Sequence, residues 1–159
     1  MKVKHGDIIS DIEVFKIIDN GPKKVSLKEL FINKKILLIG VPGAFTPTCA
    51  KDHIPEFISN IENFHKKGID DIFVISVNDP FVMDSWISSY GENNINYIAD
   101  PNGDFIKETG LELDLSSIGL GVRLSRFVML INNCEIKTIF DEEGGGLDKS
   151  KAGNVLGSI

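Results

Sequence analysis

The residues best suited to chemistry cluster in one short segment, Val41-Pro42-Gly43-Ala44-Phe45-Thr46-Pro47-Thr48-Cys49. A continuously apolar run over residues 36–41 leads into it, and a Pro-Gly turn follows. Thr46 is a helix-capping type, and Pro47 suits the first helical position, where a missing N–H costs nothing. This places Cys49 in the first turn of a helix. Unpaired amides and the positive end of the helix dipole favour an anion there. The anion a cysteine can form is the thiolate, which is the nucleophile.

Acidity alone makes a weak catalyst. An ordinary thiol, pKa ~8.5, is only slightly ionised at neutral pH, and lowering that value to ~6 raises the thiolate fraction roughly 30-fold. Nucleophilicity falls at the same time with a slope of ~0.4–0.5, which returns roughly 10-fold. A fast reaction at Cys49 therefore requires other groups that stabilise charge as it moves, above all a fixed cation and a hydroxyl.

The elements that must position these groups can be read from periodicity. The apolar runs at 36–41, 72–77 and 127–131 suit central strands buried on both faces. Residues 11–18 are β-rich, and residues 135–140 alternate at period two. Asn132-Asn133 between the last two runs reads as a hairpin turn. Ile54, Phe57, Ile58, Ile61 and Phe64 fall at helical spacing, which predicts an amphipathic helix over 47–66, kinked at Pro55 and stopped by Gly68. Asn78-Asp79-Pro80 starts a helix reaching about residue 90. A turn at 100–103, a short helix ending near Gly110 and a terminal helix over 147–159 complete the pattern. Alternating β and α elements around buried strands predict an α/β fold: a central mixed sheet flanked by helices, thioredoxin-like in its late hairpin and terminal helix. Gly144-Gly145-Gly146 lacks the strand, helix and lysine of a phosphate loop and reads as a flexible loop.

Bulk properties narrow the function. The 159 residues suit a single domain, 1–159, with a proper core. A net charge of −6 without basic clusters predicts no nucleic-acid and no membrane partner. The start lacks the apolar run of a signal peptide, so a reducing, cytoplasmic setting is the default expectation; a processed organellar protein would look the same. The two cysteines, Cys49 and Cys134, are too far apart in sequence to suggest a disulfide scaffold. With His5, His53 and His65 as the only histidines, a zinc site is not expected.

The motif Pro42-x-x-x-Thr46-x-x-Cys49 resembles the peroxiredoxin active-site signature. The longer string from Gly40 to Cys49, with Lys51, His53 and Pro55 after it, is similar to the type-5 (atypical) branch. Ser76-Val77-Asn78-Asp79 with Trp86, Ala99-Asp100-Pro101-x-Gly103-x-Phe105, and Gly121-x-Arg123-x-x-Arg126-x-x-Met129 extend the resemblance along nearly the whole chain. It implies a thiol-dependent peroxidase that needs no cofactor. Cys49 would attack a hydroperoxide and become a sulfenic acid. The Thr46 hydroxyl would orient the peroxide, the Arg126 guanidinium would hold the charge, Pro42 would shield the pocket, and the backbone amides of Thr48 and Cys49 would complete it. Arg123 and Arg126, read as lying on one strand, point to opposite faces at that spacing, and the family spacing selects Arg126. His53 shares a helix face with Cys49 and is either a supporting residue or a satisfied core histidine. Trp86 reads as packing.

The resemblance also bears on reduction. Lys149 stands about where some relatives carry a resolving cysteine, and Cys134 reads as an ordinary cysteine at the start of a strand. The expectation is a one-cysteine mechanism completed by an external thiol, glutathione with glutaredoxin first and thioredoxin second, in a homodimer. A peroxide sensor that passes oxidation to a partner protein is the alternative.

Overall fold

The computed structural model describes residues 1–159. Its framework is a seven-stranded mixed sheet in the order β2-β1-β5-β4-β3-β8-β9. The centre is formed by β3 (Lys35–Gly40), β4 (Asp71–Ser76) and β5 (Ile95–Ala99), which run parallel. On one side lies the antiparallel hairpin of β1 (Glu13–Ile18) and β2 (Gly21–Ser26). On the other lie β8 (Phe127–Asn132) and β9 (Glu135–Asp141), also antiparallel. A separate two-stranded ribbon joins β6 (Glu112–Leu115) to β7 (Gly121–Leu124).

Alternation along the central strands builds two apolar layers. Leu37, Ile39, Val74, Val128 and Leu130 face Cys49, Phe57, Phe64, Met83 and Trp86. Ile36, Leu38, Phe73, Ile75, Phe127 and Met129 face Leu27, Phe31, Phe105 and Cys134. Continuous apolar runs are what a strand needs when both of its faces are covered. The first layer is covered by α2 (Ile54–Ser59), α3 (Ile61–Lys66), α4 (Pro80–Ser88) and α6 (Ala152–Ser158). The second is covered by α1 (Leu27–Phe31) and α5 (Asp104–Thr109).

Local chemistry sets the element ends. Asp79 caps α4 by accepting the Val82 amide at 3.0 Å, and Pro80 follows at the helix start. The buried Asp100 carboxylate accepts the amides of Asp104 and Phe105 at 3.1 and 3.0 Å, which opens α5. Burial pushes the Asp100 pKa up to about 6 against those two hydrogen bonds.

Four expectations need correction. The helix expected over 47–66 is three pieces: Pro47 and Thr48 are helical, Cys49–His53 forms a π-turn, and α2 and α3 meet at Asn60. Pro55 lies inside the helical stretch 47–59, at the junction of the π-turn and α2, where its missing N–H interrupts the main-chain bonding as expected. The hairpin turn is Asn133-Cys134, one residue later than expected, with φ of 49° and 67°. Positive φ at both central positions is the mark of a type I′ two-residue hairpin turn, so Cys134 is a turn residue and not a strand residue. Arg123 and Arg126 do not share a strand: Arg123 is on β7, while Ser125 and Arg126 bridge the ribbon to β8. The terminal helix begins only at Ala152, because residues 147–151 turn back towards Glu142.

Candidate active site

The strand β3 delivers the chain into the 41–49 loop at the parallel centre of the sheet, and two contacts pin that loop. Asn78, after β4, accepts the Ala44 amide at 2.9 Å and the Ser76 hydroxyl at 2.7 Å. Arg123, from the ribbon, donates through Nη1 to the Pro42 carbonyl at 3.3 Å and through Nε to Leu120 at 2.7 Å. Arg123 is thus a strut for the loop rather than a free surface residue.

Thr46 immediately precedes the helical Pro47, and its carbonyl takes the Ala50 amide at 2.9 Å. Its hydroxyl does not cap the helix. It donates to the Gly43 carbonyl at 2.7 Å. A hydroxyl has one proton and two lone pairs, so Thr46 keeps its acceptor side for another donor. The amides of Thr48 and Cys49 have no acceptor in the loop, as expected for the first turn of a helix. Cys49 opens the π-turn and is fully buried.

Arg126 reaches the same turn from the β8 side. By alternation it shares a face with Val128 and Leu130, which belong to the layer holding Cys49. Its Nη1 donates to Nδ1 of His53 at 3.1 Å, and its Nε is buried with no acceptor. His53 is four residues from Cys49 on the π-turn, and its Nε2 lies 3.0 Å from the Ser150 carbonyl. Because a guanidinium can only donate, Nδ1 must be the acceptor, and Nε2 carries the proton given to Ser150. Burial, with the Arg126 charge adding to it, lowers the His53 pKa to about 4, so the imidazole is neutral at neutral pH. Ser150 is held in turn by Glu142, whose Oε1 accepts its amide at 2.7 Å and its hydroxyl at 2.8 Å. The main chain of Arg126 is fixed on both sides, by Arg126 N–H to Gly144 and by Glu142 N–H to Arg126 O. The glycine run, expected to be a flexible loop, therefore closes on the arginine.

The structure places Pro42, Thr46, Thr48, Cys49 and His53 in the loop and turn that follow β3, and the Arg126–His53 bond brings Arg126 to the same turn. Cys134 lies in the opposite layer of the sheet, and both cysteines are free. Trp86 packs in the layer with Cys49, as expected. Tyr90 and Ser150 were not anticipated; Tyr90 follows Trp86 at helical spacing, which was the available signal. No group of metal-ligating side chains is present, and no helix is long and apolar enough to cross a membrane.

A thioredoxin-like sheet that carries a helix-start thiol, with a buried, unpaired guanidinium donor held against the same turn, defines a cysteine-based redox domain. The redoxin family model matches residues 4–156. Peroxiredoxin-2C of Oryza sativa subsp. japonica is 47% identical over 138 residues, covering 86% of this chain and 85% of that protein. The structure of reduced Prx3 in complex with hydrogen peroxide from Vibrio vulnificus has a TM-score of 0.92, with 33% identity and 98% of each chain covered. That of the Plasmodium falciparum antioxidant protein (1-Cys peroxiredoxin) has a TM-score of 0.89, with 34% identity and 96% of each chain covered. The chain belongs to the peroxiredoxin family and is a thiol-dependent peroxidase.

Proposed function

We propose that Cys49 is the peroxidatic thiol and that Arg126, Thr46 and the Thr48 and Cys49 amides form its peroxide site. The observation that carries this is the Arg126 Nε donor, buried without an acceptor above the turn that bears Cys49. An unmet donor in a buried site is costly unless an anion or substrate oxygen fills it. The Cys49 sulfur lone pair attacks one peroxide oxygen, the S–O bond forms and the O–O bond breaks. The sulfur is oxidised by two electrons, and the leaving oxygen takes a proton to become water or an alcohol. Thr46, its proton engaged by Gly43, accepts the peroxide O–H; Arg126 and the free amides stabilise the oxygens as charge shifts. Pro42, buried in the loop before Cys49, shields the sulfur.

The sulfenic acid is reduced by an external thiol. The location of Cys134 in the other layer supports this, because the sheet separates the two sulfurs. Glutathione with glutaredoxin is the first candidate donor and thioredoxin the second, in a reducing compartment such as the cytoplasm. The 1-Cys structural relative supports the same reading. Exposed Phe45, Phe81, Ile118 and Val122 support a homodimer, which light scattering tests. The test of the catalytic reading is hydroperoxide consumption by Cys49→Ser with each donor. Abolished turnover with every donor supports it, and retained turnover overturns it. Repeated turnover of the wild type with one donor separates the peroxidase from a sensor.

A further inference from the structure

The π-turn that carries Cys49 has an unusual vacancy in its backbone. In an α-helix the Ala50 carbonyl would accept the amide of residue 54, and in a π-helix that of residue 55. Here the Ile54 amide goes to Cys49, so the first partner is taken. Residue 55 is proline, which has no N–H, so the second does not exist. The Ala50 carbonyl is left without a main-chain donor, directly after the reacting residue. The Tyr90 hydroxyl fills the place, donating to Ala50 O at 2.7 Å.

We propose that Tyr90 is a positioning residue for the peroxidase reaction: its hydroxyl replaces the amide that Pro55 removes and holds the Cys49 π-turn in its reactive form. Tyr90 follows α4, whose N-terminus is fixed by Asp79 and whose Trp86 ring packs 6.2 Å from that of Tyr90. Burial, with Cys49 adding to it, pushes the phenol pKa upward, so the group stays a donor at neutral pH. The second consequence concerns reduction. Cys49 is fully buried, so a thiol as large as glutathione reaches its sulfenate only when the turn shifts. The Tyr90 bond therefore favours peroxide attack and opposes thiol attack.

The inference rests on Cys49 being the reacting sulfur, which Cys49→Ser decides independently. Tyr90→Phe removes one oxygen and keeps the ring. In a rapid-quench assay that traps the Cys49 sulfenic acid, its oxidation by hydrogen peroxide should slow about tenfold. Reduction of the preformed sulfenate by glutathione should accelerate in the same variant, a split that general loss of structure does not produce. Pro55→Ala restores an amide at residue 55. The double variant Pro55→Ala/Tyr90→Phe should recover most of the oxidation rate. Unchanged oxidation in Tyr90→Phe, parallel slowing of both steps, or no recovery in the double variant would each overturn the proposal.

Discussion

The Nη1 of Arg126 donates to Nδ1 of His53 at 3.1 Å, so a cation rests against an imidazole that must stay neutral to receive it. The other imidazole nitrogen is tied to the Ser150 carbonyl, and Ser150 is tied to Glu142. The guanidinium is thus oriented by a chain of contacts that begins on the Cys49 turn and ends in the segment folded over Arg126. This leaves the buried Nε and the N–H groups of Nη2 as donors for the site. A protonated His53 could not accept that bond and would place two cations together.

This arrangement makes His53 a contributor to acid sensitivity. Its pKa is about 4 in the folded chain against an ordinary 6.5, so the folded state resists protonation that the unfolded chain accepts. The stabilisation from this group is complete above pH 6.5 and is lost as pH falls from there towards 4. It amounts to about 3 kcal/mol at most. Asp100 acts in the opposite sense: its raised pKa favours the protonated folded form, a contribution lost as pH rises from 3.8 to about 6. Between these limits the two nearly offset each other. NMR titration should show the His53 ring neutral down to about pH 4. Stability of His53→Gln, measured in urea, should gain less with rising pH across this window than that of the wild type, because the His53 contribution is gone while that of Asp100 remains.

Arg126→Lys keeps the charge but loses the planar fork that meets His53 and the site together. The rate of Cys49 oxidation should fall by about 10²–10³, the scale of losing an oriented donor in a preorganised site. Thr46→Ser should retain most of the rate, since its hydroxyl can still donate to Gly43, while Thr46→Val should lose it. Stopped-flow oxidation with hydrogen peroxide measures all three variants.

Cys134 should be a bystander. It belongs to the apolar layer on the far side of the sheet from Cys49, its thiol points at the Lys28 carbonyl at 3.7 Å, and burial raises its pKa. A raised pKa leaves less thiolate for reaction. After one equivalent of peroxide, peptide mass mapping should show no Cys49–Cys134 bond, and Cys134→Ser should retain full turnover with an external thiol. An intramolecular disulfide, or a turnover loss in that variant, would contradict this.

Much of this could be read from the chain. The buried strands β3, β4 and β8 were evident because apolar residues run without a break when both faces are covered. The strand β2 was not, because Gly-Pro-Lys-Lys-Val-Ser lies at the sheet edge with its polar side chains exposed. The ribbon β6–β7 was missed for a related reason: Glu112, Asp114 and Val122 are exposed, and its four-residue strands carry too little pattern. At the site, the spacing of Pro42, Thr46 and Cys49 was informative because all three lie in one loop. The Arg126–His53–Ser150 chain was not, because it joins residues 97 positions apart in sequence. The π-turn escaped because its cause, Pro55 with Tyr90, combines a local effect with a distant one.

Gly40 closes β3 where the strand enters the site. Gly40 pairs with Phe127 across the β3–β8 ladder, and a Cβ at Gly40 would sit 2.0 Å from the Phe127 ring. The ring also stacks on Phe105, with centroids 5.9 Å apart, so it has little room to yield. Gly40→Ala should destabilise the chain by about 1–3 kcal/mol, the usual cost of overpacking. That corresponds to a Tm lower by roughly 3–10 °C for a domain of this size. Gly40 ends the strand that leads to Pro42, and Phe127 adjoins Arg126, so the clash strains both walls of the active site. Peroxide oxidation of Cys49 should therefore slow at temperatures where the variant remains folded. Gly40→Ala/Phe127→Leu should be less destabilised than the two single changes summed, since the smaller side chain relieves the contact. Calorimetry of the four proteins measures that coupling, and strict additivity would show that the Gly40–Phe127 contact is not what requires glycine at this position.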